Sequence, residues 1–255
     1  MRALDDKVIL VAGGGSGIGA AAACRLGQEG ATVAVGDLDA DAARDTAGKI
    51  ESAGGRAIGL CYDQGDEESI KKLVQSTTKT LGGLHGVHAN AADLRPEHLK
   101  ADRALLQMDV ATWTRTLSVN LVGYAVIIRE SLPHLLAAGG GAIVCTSSSA
   151  SQQGLPAQPA YAASKAGIES LVRHLATRYG RDGIRANAIA PGIVLTEAAR
   201  RAQTEESMAA FRASTHSPRV GVPEDIAAAV AYLMSQDGEW VNGQVWEIDG
   251  GMVYR

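Results

Sequence analysis

The chain has 255 residues, 46% hydrophobic and 20% charged, with 24 Lys and Arg against 28 Asp and Glu for a formal charge of -4. That composition excludes a disordered chain, and the near-balanced charge offers no strongly basic face to nucleic acid. No apolar run is long enough to span a bilayer, so a soluble protein without a membrane partner is expected.

The first residues, MRALDDKVILVAGG, reach an apolar strand directly and carry no secretory pattern. Cys24, Cys61 and Cys145 lack the spacing of a disulfide framework or a zinc site, so a reducing, cytoplasmic compartment is the expectation. Strands are predicted over 7–12, 32–36, 56–61, 84–89, 141–146, 184–189 and 244–248. Helices are predicted between them over 18–29, 40–53, 67–81, 110–137, 159–180 and 223–235, the last opened by Pro223 and Glu224. Alternation of this kind predicts an α/β, doubly wound Rossmann fold: a seven-stranded parallel sheet with helices on both faces. No linker divides the chain, so residues 1–255 are read as one nucleotide-binding catalytic domain. The two longest helices carry more small and apolar residues than one sheet-facing stripe requires, which suggests a subunit interface. The stretch 193–222 has no strand character and is read as a lid over the site.

The run from Val8 to Gly19 is a strand, a glycine-rich turn and a helix start, the order in which backbone N–H groups cradle a pyrophosphate. Gly13, Ser16, Gly17, Ile18 and Gly19 are the cofactor-binding candidates there. The second strand ends in Asp37, 24 residues after Gly13, where a carboxylate suits two ribose hydroxyls and repels a 2'-phosphate. Neither Ser16 nor Leu38 is basic, so NAD is preferred over NADP; the alternative for Asp37 is capping the helix that begins near residue 40. Asp63 and Gln64 follow the third strand. Asp63 could read the adenine edge or serve only as a turn former. Asn90, Ala91 and Ala92 follow the fourth strand at the same sheet edge, with small side chains against which a cofactor can lie.

Tyr161 and Lys165 sit four residues apart near the start of a helix and share one face. A phenol is a poor base at neutral pH, but an ammonium beside it is expected to lower its pKa enough to exchange a proton with an alcohol or carbonyl oxygen. Ser147, Ser148 and Ser149 close the fifth strand, and any of the three hydroxyls could bind that oxygen. Asn120, read alone, is a buried polar residue that kinks a helix. His85 and His88, three apart in a strand, point to opposite faces, while His98, His134, His174 and His216 form no ligand-spaced set. No metal is therefore expected.

Taken together these segments resemble the classical short-chain dehydrogenase/reductase family. Its glycine motif is similar to Ala12-Gly13 through Gly17-Ile18-Gly19, with Ala12 in place of threonine. Its Asn-Ala-Gly motif is similar to Asn90-Ala91-Ala92. The Tyr-x3-Lys motif matches Tyr161 and Lys165, and the family serine, thirteen positions before the tyrosine, falls on Ser148. The resemblance makes Asn120 the fourth catalytic residue, organising a water between Lys165 and solvent. It also implies that Pro191, Gly192, Val194 and Thr196 close over the nicotinamide side, that Tyr161 and Lys165 contact the cofactor as well, and that the protein is a homotetramer.

The resulting expectation is an NAD-dependent oxidoreductase acting on a small-molecule secondary alcohol or ketone of moderate hydrophobicity. The substrate wall is assigned to residues 93–102, to Gln152, Gln153, Leu155 and Pro156, and to Ala198, Ala199, Met208, Ala210 and Phe211 of the lid, with Arg95, Arg200 and Arg201 in reach of a negative group. A 3-oxoacyl thioester reductase of the same fold and a non-catalytic nucleotide-binding scaffold are the alternatives.

Overall fold

A computed structural model describes residues 4–197, 200 and 204–253. The seven predicted strands form one parallel sheet: β1 (Val8–Ala12), β2 (Thr32–Asp37), β3 (Arg56–Cys61), β4 (Gly86–Ala89), β5 (Gly141–Thr146), β6 (Ile184–Pro191) and β7 (Val245–Ile248), in spatial order β3-β2-β1-β4-β5-β6-β7. All five residues of β1 are buried, as a central strand covered on both faces requires.

Alternation along the strands divides the core in two. Leu10 and Ala12, with Val87, Ile143 and Ala186, pack under α3 (Glu67–Leu81) and the two longest predicted helices. Ile9 and Val11, with Val33, Val144 and Ile189, face α1 (Gly17–Gln28), α2 (Ala40–Ser52) and the helix Pro223–Met234. The strand order reverses beside β1, between β2 and β4, so a crevice opens at the carboxyl ends of β1 and β4, where ligands of open α/β sheets gather.

Three features were not foreseen. Residues 93–102 are not simply an irregular polar loop: α4 (Pro96–Ala101) forms there, with Pro96 in the first turn and His98 and Lys100 in the last, and it buries none of its residues. The predicted helix 110–137 runs as α5 (Val110–Leu117), one π-turn (Ser118–Val122) and α6 (Gly123–Ala137). The stretch 193–222 contains α8 (Glu205–Ala213), capped by Thr204, and pairs Val194 with Gly221 across its neck. The remaining helices are α7 (Pro159–Tyr179) and α9 (Pro223–Met234). Ala198, Ala199 and Arg201 lie outside the described residues. Among the described residues no helix is long and apolar enough to cross a membrane.

Candidate active site

The glycine turn leaves β1 and is held against β4. Gly13 has φ +80, and a Cβ on it would lie 2.6 Å from Ala91 Cα. Gly17, at φ +53, faces Thr196, whose Cγ2 would be 3.0 Å from an added Cβ, so the Asn-Ala-Ala motif and the start of the lid stretch both converge on this turn. Ser16, the N-cap residue of α1, makes no side-chain cap, which leaves the positive end of the helix open to an anion. Ile18 packs on the α1 side of the core, and Leu38 is exposed at the rim.

Asp37 is seated by the turn itself. Its Oδ2 accepts the Gly15 N–H at 2.8 Å and its Oδ1 accepts the Asp39 N–H at 3.1 Å. The capping role considered for it belongs to Asp39, whose side chain accepts from Asp41 and Ala42. Asp63 adopts the turn geometry, with Oδ1 accepting the Gly65 N–H at 2.7 Å. Gln64 is buried, and its Oε1 accepts the Tyr62 hydroxyl at 2.8 Å. A backbone-lined cradle at a helix N-terminus, with an acid at the tip of β2, fits an adenine dinucleotide by the chemistry of its donors and acceptors.

Beneath the crevice a polar chain joins the glycine turn to the reactive residues. Asn90 Nδ2 donates to Gly13 O at 2.9 Å, and Asn90 Oδ1 accepts the Thr146 hydroxyl at 3.0 Å. Because that hydroxyl spends its only proton on Asn90, the contact from Thr146 Oγ1 to His88 Nε2 at 3.0 Å makes His88 the donor and fixes its tautomer. His88 Nδ1 then bears a buried lone pair with no partner, and burial lowers the imidazole pKa to about 3. The sequence weighed His88 only as a metal ligand and gave Thr146 no role, since a histidine in an apolar strand has no readable partner before the sheet is assembled.

The carbonyl of Thr146 accepts from Lys165 Nζ at 2.8 Å. Lys165 is buried, which lowers its pKa to about 8, and its ammonium lies 5.3 Å from the Tyr124 ring centroid and 5.6 Å from that of Tyr161. Tyr161 corrects an expectation. Burial raises the phenol's pKa above its ordinary value, and the hydrogen bond with Ser148 only partly opposes this. Desolvation sets the direction, with the Lys165 ammonium seated on the Thr146 carbonyl rather than on the phenol oxygen.

The choice among the serines resolves on contacts. Ser147 Oγ donates to the buried Glu169 at 2.9 Å, and Ser149 is buried. Ser148 is the one of the three whose hydroxyl acts on the Tyr161 phenol, pulling its pKa down against burial, and its Oγ accepts the Ala150 N–H at 3.2 Å. Asn120 occupies the π-turn, fully buried, with Oδ1 accepting the Asp93 N–H at 2.9 Å and Nδ2 unpartnered. π-turns recur where a helix turns a side chain toward a function.

Asp93 anchors the far wall. Its carboxylate accepts from Arg95 Nη2 at 2.6 Å, His98 Nδ1 at 2.6 Å and Arg115 Nε at 3.0 Å. Burial alone would raise its pKa, but these hydrogen bonds hold the carboxyl well below the usual carboxylate range. Pro191 ends β6, Gly192 is pressed against Asp249, and Arg200 is exposed. Gln152 is bonded to Glu247. Met208, Ala210 and Phe211 lie on α8.

A glycine cradle at the switch point of a parallel sheet, with Ser148, Tyr161 and Lys165 grouped beyond the next strands, defines an oxidoreductase of the Rossmann type. Comparison with known proteins specifies the family. Residues 12–253 match a family model described as enoyl-(acyl carrier protein) reductase. The chain is 39% identical to a probable short-chain type dehydrogenase/reductase of Bradyrhizobium diazoefficiens over 99% of its own length and 89% of the relative's. It is 37% identical to cis-4-hydroxycyclohexanecarboxylate dehydrogenase of Sinomonas cyclohexanicum over 98% of each chain. Among solved structures it is similar to a 7α-hydroxysteroid dehydrogenase complexed with NADH and 7-oxo glycochenodeoxycholic acid, with a TM-score of 0.91 and 32% identity over 100% of this chain and 96% of that one. The protein belongs to the classical short-chain dehydrogenase/reductase family, whose members are oxidoreductases that use nicotinamide cofactors.

Proposed function

We propose that the protein is an NAD-dependent dehydrogenase that interconverts a secondary alcohol and its ketone, the alcohol being moderately hydrophobic and borne on a ring. The observation that carries this reading is a buried Lys165, its ammonium 5.6 Å from the Tyr161 ring and seated on the Thr146 carbonyl, on the same sheet edge as the glycine cradle. Relatives named for cis-4-hydroxycyclohexanecarboxylate, cyclohexanol and 7α-hydroxysteroid, each a ring-borne hydroxyl, support the substrate class. Asp37, with no basic residue at Ser16 or Leu38, supports NAD.

Gly13, Gly17 and Gly19 admit the pyrophosphate to the backbone, Asp37 takes the ribose, and Asn90, Ala91, Ala92, Pro191, Gly192, Val194 and Thr196 line the nicotinamide half. The bound nicotinamide supplies the acceptor or donor of the hydride. Ser148 donates its hydroxyl proton to the substrate oxygen and orients it. Tyr161 exchanges a proton with that oxygen. Lys165, with a pKa of about 8, returns protons to the phenol near neutral pH. Asn120 uses its unpartnered Nδ2 to hold a water through which Lys165 communicates with solvent. The stretch 193–222 acts as the lid of a single catalytic domain, and the chain works in the cytoplasm, as its cysteine pattern suggests, and as a homotetramer, as the family resemblance implies.

The test is an absorbance screen at the reduced-nicotinamide band with NAD and NADP side by side, over cyclohexanols, hydroxysteroids, acyclic secondary alcohols and a 3-oxoacyl thioester. Turnover of ring alcohols with NAD is expected. Selective turnover of the thioester with NADPH would replace the reading with a 3-oxoacyl thioester reductase of the same fold. Nucleotide binding without turnover of any substrate would leave a scaffold.

A further inference from the structure

The helix that carries Tyr161 does not cap itself. Its N-cap residue, Gln158, has φ +64 and makes no side-chain cap, and apart from Asp6 it is the one non-glycine residue with positive φ among the described residues. In that conformation the N-cap side chain cannot reach the N–H groups that the first turn leaves open. Asp102, 59 residues before Tyr161, takes its place. Its Oδ2 accepts the Tyr161 N–H at 2.8 Å, its Oδ1 accepts the Ala160 N–H at 3.2 Å, and its main-chain oxygen accepts the Gln158 N–H at 2.9 Å. Ala160 and Tyr161 are the second and third residues of α7, the positions an N-cap side chain normally serves. Asp102 is 3% exposed, so the carboxylate is committed to these bonds rather than shared with water. On the other side of the peptide, Ser164 Oγ donates to Tyr161 O at 2.6 Å, which pins both backbone polar groups of the reactive residue.

The chain segment that delivers Asp102 begins at Asp93, whose N–H holds Asn120 Oδ1. One short stretch, bearing α4, thus touches the candidate relay asparagine at its start and the reactive tyrosine's helix at its end. We propose that Asp102 is a positioning residue for this reaction: a carboxylate supplied from the substrate-side wall that caps the Tyr161 helix from outside and sets the phenol's place beside Ser148. Coupling in this arrangement is mechanical. Displacement of the 93–102 wall uncaps α7 and moves Tyr161, while the glycine cradle, on the far side of β4, keeps its geometry.

For turnover this inference rests on the dehydrogenase reading above, so the experiment has one arm that needs activity and one that does not. D102A and D102N are compared with the unmodified protein for kcat and KM on the best alcohol of the screen, for NADH affinity by fluorescence, and for amide hydrogen exchange over residues 158–164. D102A is expected to lower kcat about tenfold or more, to change NADH affinity less than twofold, to raise KM by less than kcat falls, and to expose the amides of Ala160 and Tyr161 to exchange. D102N keeps an acceptor for the Tyr161 N–H and is expected to recover at least threefold of the lost kcat. A passive structural cap would lower the melting temperature but leave kcat of the folded variant within twofold, and that result overturns the proposal. Should D102A fail to fold, D102N alone decides: faster exchange at Ala160 with reduced kcat supports the role, and unchanged exchange and kcat refute it. Should the unmodified protein oxidise no alcohol, the dehydrogenase reading fails, and exchange at Ala160 and Tyr161 still separates a capping Asp102 from one that is not.

Discussion

His88 should make the fold sensitive to acid, by an amount that follows from its surroundings. The ring is fully buried, and its Nε2 proton is used by a threonine hydroxyl that has no second proton to give. Nothing on the Nδ1 side accepts the proton that an imidazolium would carry. Its pKa is therefore about 3 in the folded chain against 6.5 when free. A depressed folded pKa stabilises above the unfolded value, and the contribution is lost as pH falls from about 6.5 toward 3, because only the unfolded chain binds the proton. Each pH unit in that window is worth about 1.4 kcal/mol, so roughly 2 kcal/mol should disappear between pH 7 and pH 5. The assay is urea unfolding of the unmodified protein and of His88→Val at both pH values, with the unmodified chain losing about 2 kcal/mol more than the variant. Comparing the two losses cancels every other titrating group. Equal pH dependence in the two proteins would refute the assignment of a neutral, acid-locked His88.

Three further outcomes follow from the site. Tyr161→Phe should lower kcat by about a hundredfold or more with NADH affinity nearly unchanged, since only the proton-transfer group is removed; near-normal kcat measured by reduced-nicotinamide absorbance would reject the assignment. Asp37→Ala should raise the KM for NAD roughly tenfold or more, the scale of a lost hydrogen bond to a charged acceptor, and relax discrimination against NADP; unchanged selectivity would reject it. A Cβ on Gly19 would sit 1.9 Å from Gly13 O, whereas one on Gly48 meets nothing within 4 Å. Gly19→Ala should therefore weaken nucleotide binding sharply in a fluorescence titration, while Gly48→Ala, inside α2, should raise stability by about 0.5 to 1 kcal/mol and leave binding unchanged.

The strands were legible because most are short apolar runs with a turn at both ends, and burial on two faces admits a polar residue only where it finds a partner. Val8–Ala12 is wholly apolar, and Ile184–Pro191 carries Arg185 and Asn187 on backbone carbonyls of Leu233 and Val241. The short helix at Pro96–Ala101 was not, because it buries no residue and so carries no hydrophobic period. The π-turn was hidden for a different reason: the apolar stripe continues through Ser118–Val122, and only the extra residue in the turn shows that Asn120 is swung inward. α8 lay in a stretch too polar for strand periodicity, and the Thr204 cap that starts it was overlooked.

At the site, residue types and order announce the groups, but the balance of their electrostatics is a property of packing. A phenol and an ammonium four positions apart suggest an acidified tyrosine. Packing changes that: desolvation moves the phenol up from 10 and the ammonium down from 10.5 to about 8, so the two separate in proton affinity and the proton rests on the phenol. This separation keeps the phenol protonated at neutral pH, the form that donates to a carbonyl oxygen, and makes the return of a proton from Lys165 to a phenolate run downhill. The residues that create it, Thr146 as the seat for Lys165 and Asp102 as the external cap of α7, are 19 and 59 positions from their partners. No local pattern records such contacts; they exist only after β5 and the 93–102 wall have been brought against α7.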